Sequence, residues 1–219
     1  MGLSPDARAA AVAVTVALLA ALPGGCRAKD PVISEPFTDD FERAEPGPTW
    51  NNTGASYQIA GGRLNVAGAY NHPLWLRRKL PQDVVIDVDA TSKSPSGDLK
   101  VEVFGDGESF DADKGAYVST GYMLIFGGWG NSLSVICRND EHDAGRKASR
   151  GDVRVEPGRT YHFTVTRKGG LIDWKIDGQP FLAWNDPQPL AGPGHEYFAI
   201  NNWEADVYFD NLVIRPASP

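Results

Sequence analysis

Residues 121–143 read GYMLIFGGWGNSLSVICRNDEHD. Residues 122–126 and 132–137 are apolar runs, and Gly127, Gly128, Trp129, Gly130 and Asn131 join them. Two strand-like runs parted by a short glycine-containing link predict a β-hairpin. The first run is apolar at almost every position, which predicts a central strand covered on both faces. After the second run come Arg138, Asn139, Asp140, Glu141, His142 and Asp143, the densest group of chemically capable side chains in the chain. A site is expected first at this end of the hairpin.

Working outward, period-2 alternation recurs. Val84, Ile86, Val88 and Ala90 take one side of a run, and Val85, Asp87, Asp89 and Thr91 the other. Leu99, Val101 and Val103 alternate with Lys100, Glu102 and Phe104, while Tyr161, Phe163 and Val165 precede a similar set, Ile172, Trp174 and Ile176. One apolar and one wetter face is the pattern of an antiparallel sheet. Gly61-Gly62 predicts a second hairpin, and Asp177-Gly178 a further tight turn. Near the end, Val207 and Phe209 fit one phase of alternation, Leu212 and Ile214 the other. One extra residue at Asp210-Asn211, a β-bulge, restores the pattern. About fourteen candidate strands, no periodic helix, 24 glycines and 16 prolines predict an all-β, two-sheet antiparallel β-sandwich. A net charge of −7 argues against a nucleic-acid partner, which needs a basic face, and leaves glycans open. A monomer is expected.

The first 25 residues read as a signal peptide, with Arg8 ahead of an apolar stretch at 9–22. That stretch is shorter than the roughly 20 residues a bilayer-spanning helix needs. Pro23-Gly24-Gly25-Cys26 follows and resembles the lipobox of bacterial lipoproteins, in which the cysteine carries the lipid. Pro23 departs from the Leu-like residue that family prefers, and an ordinary secretory cleavage is the alternative. Either way the domain is exported. The lipobox resemblance implies lipidation at Cys26, a membrane partner through that lipid, and a place in the cell envelope. Arg27 resembles outer-membrane sorting if the source has two membranes. Residues 26–36 are expected as a tether and 37–219 as one sandwich domain. Cys137, inside an apolar run, reads as a buried free thiol.

Several motifs together are similar to the concanavalin A-like (laminin G-like) jelly rolls. They are Asp39-Asp40-Phe41, Gly61-Gly62-Arg63-Leu64, the run at 161–166 before Asp173-Trp174-Lys175-Ile176-Asp177-Gly178, and the closing Phe209-Asp210-Asn211-Leu212. The resemblance implies two curved sheets with glycan sites on the concave face or its rim. It also implies a structural calcium between the first and last strands, with Asp39, Asp40 and Asp210 as oxygen ligands. Those Asp side chains also suit turn caps. The laminarinase branch of this fold carries Glu-x-Asp-x-x-Glu on one strand, and Asp87-Val88-Asp89 lacks the following Glu.

The carbohydrate-binding candidates are Trp129, Arg138, Asp140, Glu141, His142, Asn202 and Trp203. Sugars present apolar C–H faces and hydroxyl edges, so indoles beside amides and charges suit them. The two tryptophans are equally suited to plugging sandwich ends. Three readings stand: a polysaccharide- or oligosaccharide-binding protein needing no cofactor; a glycoside hydrolase or polysaccharide lyase using Glu141, His142, Asp87 or Asp89; and a structural envelope lipoprotein. The last expects buried tryptophans and no pocket.

Overall fold

The computed structural model describes residues 30–111 and 116–218, so the leader and Cys26 lie outside the described residues. The strands in chain order are β1 (Phe37–Asp39), β2 (Trp50–Asn52), β3 (Gln58–Ile59), β4 (Leu64–Ala67), β5 (Leu74–Leu76), β6 (Val84–Ser92), β7 (Leu99–Gly105), β8 (Phe110–Asp111) and β9 (Ala116–Tyr117). They continue as β10 (Tyr122–Gly127), β11 (Leu133–Arg138), β12 (Arg146–Arg150), β13 (Thr160–Lys168), β14 (Leu171–Ile176), β15 (Gln179–Asn185), β16 (Tyr197–Asn201) and β17 (Asp206–Pro216). One sheet runs β15-β14-β13-β6-β17-β4-β3, with β1 added on β17. The other runs β12-β11-β10-β7-β16-β5-β2, and β8 pairs β9 apart from both. All named pairings within these sheets are antiparallel, as expected of an all-β sandwich.

The alternation seen in the sequence sets the core. Ile86 and Val88 of β6, Phe163 and Val165 of β13, and Val207 and Phe209 of β17 meet Leu99 and Val101 of β7 and Leu124 and Phe126 of β10 in one cluster. Phe126 packs against Tyr161, Phe163 and Phe181 of the opposite sheet, with ring centroids 5.0, 6.2 and 5.1 Å away.

The hairpin forms as predicted, with β10 on β11 from Tyr122↔Arg138 to Ile125↔Val135. Every residue of β10 is buried. Its outward side chains, Met123 and Ile125, join Val135 and Cys137 in a second, smaller apolar cluster on the outer face of the sheet. Cys137 is free and buried, and burial pushes its thiol up to about 12, so it stays an unreactive thiol at neutral pH. The expected bulge is present: the register between β17 and β6 breaks between Asp210 and Val213, and Asn211 is left-handed (φ 50°).

Two expectations change. Residues 31–33, read as tether, are docked: the Ile33 amide donates to the Lys79 carbonyl and the Lys79 amide to that of Pro31, each at 2.9 Å. Ile33 is buried there. The sequence stretch Phe37–Glu42 reads as one first strand, but the strand ends at Asp39, because the Asp39 carboxylate accepts the Phe41 amide at 3.0 Å and turns the chain.

Phe126→Ala leaves a cavity at the meeting of three rings. It should lower unfolding free energy by about 3–5 kcal/mol in a urea titration, since large-to-small changes in a close-packed core lose both transfer and packing terms. A loss below about 1 kcal/mol would contradict this placement of the core.

Candidate functional site

Strand alternation turns Lys100 and Glu102 of β7, Ile125 of β10 and Asn201 of β16 away from the main core, onto the outer face of their sheet. Lys100 stands opposite Ile125 on one side and Asn201 on the other. Around this row the chain forms a cleft of about 520 Å³. Lys100 and Ile125 lie in its floor. Asn71, Asp98, Trp129, Glu141, His142, Trp203 and Glu204 contribute to its walls.

Lys100 is 2% exposed. Its Nζ donates to Asn71 Oδ1 and to Glu141 Oε2, both at 2.6 Å, and Asn71 Nδ2 donates to Glu141 Oε1 at 3.0 Å. The three side chains thus close a triangle that ties the 139–145 loop to β7. Burial acts to raise the Glu141 carboxyl, but the Lys100 charge and the two hydrogen bonds outweigh it and hold it below its usual value. Burial likewise acts to lower the Lys100 ammonium, and Glu141, Asp98 and Glu102 outweigh it. Asp98 is pushed up by burial, against the pull of Lys100, and its Oδ2 accepts the Trp203 amide. Behind Lys100, Glu102 is wholly buried; Asn201 Nδ2 and Tyr117 OH donate to its Oε1 at 2.7 and 3.1 Å, while Oε2 is unpartnered among the described residues. Burial pushes this carboxyl up to about 6.

The two indoles are exposed by 39% (Trp129) and 47% (Trp203). Trp129 is held out by its turn, in which Trp129, Gly130 and Asn131 have φ of 51°, 67° and 63°. The Asn131 side chain anchors that turn, accepting the Val155 amide and donating to the carbonyls of Pro95 and Val155. Arg146 lies 4.3 Å from the centroid of the Trp129 ring and His142 meets it edge-on at 6.4 Å. Trp203 stacks edge-on with Tyr70 at 5.2 Å. Tyr70, Asn71 and Asp98 are also left-handed (φ 48°, 61° and 61°). For residues other than glycine this conformation is disfavoured, and such strain concentrates at functional sites.

The structure therefore unites four of the seven carbohydrate-binding candidates: Trp129, Glu141, His142 and Trp203. Asn202 is buried beneath them, accepting the Ala69 amide at 2.8 Å, and acts as a scaffold for the Trp203 loop. Arg138 and Asp140 line a separate hollow with Trp184 and Gln188, where Arg138 Nε pairs with Asp186 at 2.9 Å. Asp87 and Asp89 project from the outer face of the opposite sheet and share no site with Glu141. Sequence reading missed Asn71, Asp98, Lys100 and Glu204. The proposed calcium ligands are also not assembled. Asp39 is taken by Arg43 at 2.5 and 2.8 Å and by Trp50 Nε1 at 2.9 Å. Among the described residues no group of three or more His, Cys, Asp or Glu side chains is placed to hold a metal.

Residues 100–212 match the family described as farnesoic acid O-methyl transferase, and the chain belongs to that family. No curated protein matches the sequence. Among solved structures, the carbohydrate binding module CBM66 from Bacillus subtilis is similar at 15% identity and TM-score 0.58, over 76% of this chain and 95% of that one. A Bacillus subtilis protein of unknown function with a galectin-like fold is similar at 14% and 0.64, over 82% and 94%. The VIP36 exoplasmic/lumenal domain, in a form bound to Ca²⁺ and Man3GlcNAc, is similar at 8% and 0.61, over 78% and 85%. These likenesses show the fold: a concanavalin A-like jelly roll.

Glu102→Gln tests the electrostatics beneath the cleft. A carboxyl raised from 4.5 to about 6 disfavours folding once pH exceeds its folded value, and has no such effect below the unfolded one. The amide should therefore stabilise the protein by about 1–2 kcal/mol at pH 7, with the gain vanishing near pH 4. Thermal melts at the two pH values check this, and a variant destabilised at pH 7 would contradict it.

Proposed function

We propose that this chain is an exported, lipid-anchored protein of the cell envelope that binds a polysaccharide or oligosaccharide, as a monomer, in the cleft between Trp129 and Trp203. One observation carries the reading. Two exposed indoles stand over a floor of fixed hydrogen-bonding groups, Asn71, Asp98, Lys100 and Glu141, in a cleft the size of a small ligand site. Indoles suit the C–H faces of sugar rings, and the amide, carboxylates and ammonium suit their hydroxyls. The carbohydrate binding named for CBM66 and the Man3GlcNAc of VIP36 support it by fold analogy. The structural-lipoprotein reading called for buried tryptophans and no pocket, and the cleft offers neither.

A second reading, turnover of the glycan, draws on one observation: Asp98 is raised and Glu141 lowered within the same cleft, the arrangement an acid and a base require. The methyl transfer in the family's description fits these residues poorly. A carboxylic acid acceptor would enter a cleft whose carboxylates, Asp98, Glu141 and Glu204, already outnumber Lys100, and no step through a methyl donor is derived. Nor does the binding reading use calcium, since Arg43 and Trp50 already satisfy Asp39.

Tryptophan fluorescence with a panel of polysaccharides tests the proposal. One of them should shield the indoles from an added quencher, and Trp203→Ala should weaken its binding about tenfold or more, the scale of a buried aromatic anchor. Trp129→Gly should weaken it equally while leaving Tm within a few degrees, because glycine relieves left-handed strain of about 1 kcal/mol and offsets the lost Arg146 contact. A panel that shields neither indole would overturn the reading. Release of reducing ends or an unsaturated product, lost in Asp98→Asn, would move it to the enzyme.

The anchor has its own test. Cys26→Ser should abolish incorporation of labelled fatty acid and release the protein from the membrane fraction, whereas an ordinary secreted protein would carry no label in either form.

A further inference from the structure

Charge discriminates among the glycans such a cleft can hold, an argument that rests on the carbohydrate-binding reading above. Among the described residues the ionisable side chains lining the cleft are Asp98, Lys100, Glu141, His142 and Glu204. Lys100 is already engaged: its side chain is 2% exposed and its ammonium lies 2.6 Å from a carboxylate oxygen of Glu141. Arg146 lies against the Trp129 ring and pairs with Asp143 at 3.0 Å. Asp98 accepts the Trp203 amide through Oδ2, and its other oxygen has no hydrogen-bond donor among the described residues. Asp98 is buried yet lines the cleft, and Glu204 is exposed at its rim. Neither takes part in an ion pair among the described residues. Among the described residues the cleft thus offers three carboxylates against one ammonium, and two of the three, Asp98 and Glu204, make no ion pair.

A uronate or sulfated sugar brought onto the indoles would face these two carboxylates as a like charge, in a recess where screening is weaker than in open water. A protonated amine would meet them as a donor of charge-assisted hydrogen bonds, and an indole face attracts a cation in addition. We propose that the cleft selects sugars carrying a free amino group, of the glucosamine type, with the ammonium directed to Asp98 and Glu204 and the sugar ring lying on an exposed indole. Acetylation removes the charge and lowers affinity. A uronate in the same place is excluded.

Titration of the full chain by tryptophan fluorescence, with a glucosamine hexamer, an N-acetylglucosamine hexamer and a galacturonate hexamer, tests this. The glucosamine hexamer should bind about tenfold tighter than its acetylated counterpart, as expected for hydrogen bonds to charged groups. The advantage should shrink at about 0.5 M salt, and the galacturonate hexamer should not bind. Glu204→Gln, at an exposed position, and Asp98→Asn, which keeps an acceptor for the Trp203 amide, should each cut the advantage to about threefold or less. Equal or tighter binding of the acetylated or acidic hexamer overturns the proposal, as does an advantage that survives in both variants. A neutral polysaccharide that binds while the glucosamine hexamer does not removes this proposal and leaves the carbohydrate reading standing. A blank result across every glycan removes both.

Discussion

The strand Tyr122–Gly127 is apolar on both faces and buried along its whole length, so the protein must cover it twice. The opposite sheet supplies one cover, through Phe163, Val165 and the ring of Phe181. The second must come from loops, because among the described residues the sheets have no third layer of strands beyond the small β8–β9 pair. Met123 and Ile125 are accordingly packed by Val135, Cys137 and Leu133 within the sheet. The turn at Trp129 and the loop at 139–145 rise beside them. These loops meet around Lys100 rather than over Ile125, and the space between them is the cleft. The site is thus a consequence of how an over-apolar strand is sheltered.

Lys100 is what fixes that opening. A lysine at 2% exposure is tolerated only with partners for its ammonium, since desolvating a lone charge costs several kcal/mol. Its partners come from two different loops, Asn71 and Glu141, and the Asn71–Glu141 hydrogen bond closes the set. Pairing the charge therefore also positions the walls. Left-handed backbone gathers in the same place, at Tyr70, Asn71, Asp98, Trp129 and Asn131. Tight turns there bring side chains to the rim that a relaxed loop would direct elsewhere, at a cost in local strain that the Asn131 and Asn202 anchors offset.

Much of the architecture could be read from period-2 alternation alone, because each strand of a sandwich must send one row of side chains into the core. That is why the hairpin at Gly127–Asn131, the turn at Gly61-Gly62 and the bulge at Asn211 all appear where the phase of the pattern demands. Trp129 and Trp203 also stood out, since a large indole in a glycine- or asparagine-rich turn has no strand phase to bury it. Arg138 and Asp140 looked equivalent to Glu141 and His142 in the same short segment. They diverge because the loop turns sharply at Asn139 (φ 57°), and Gly145 packs so tightly on the Asp140 carbonyl that a Cβ would lie 1.6 Å from it. Asp39, named by resemblance as a calcium ligand, has a local partner instead, Arg43 four residues further on.

By itself the sequence determined the layers: which residues face the core, where the chain turns, and that a cluster of polar groups follows the central hairpin. Tertiary structure decided the site. Lys100 lies 29 positions from Asn71 and 41 from Glu141, and in an alternating strand it reads as a solvent-facing residue. Only loop closure over the outer face of the sheet buries it and makes its charge the organising element of the cleft. The same closure brings Asp98 and Glu204 to one rim, and separations of that length leave no trace in local periodicity, because they arise from packing between segments and not from the geometry of any one of them.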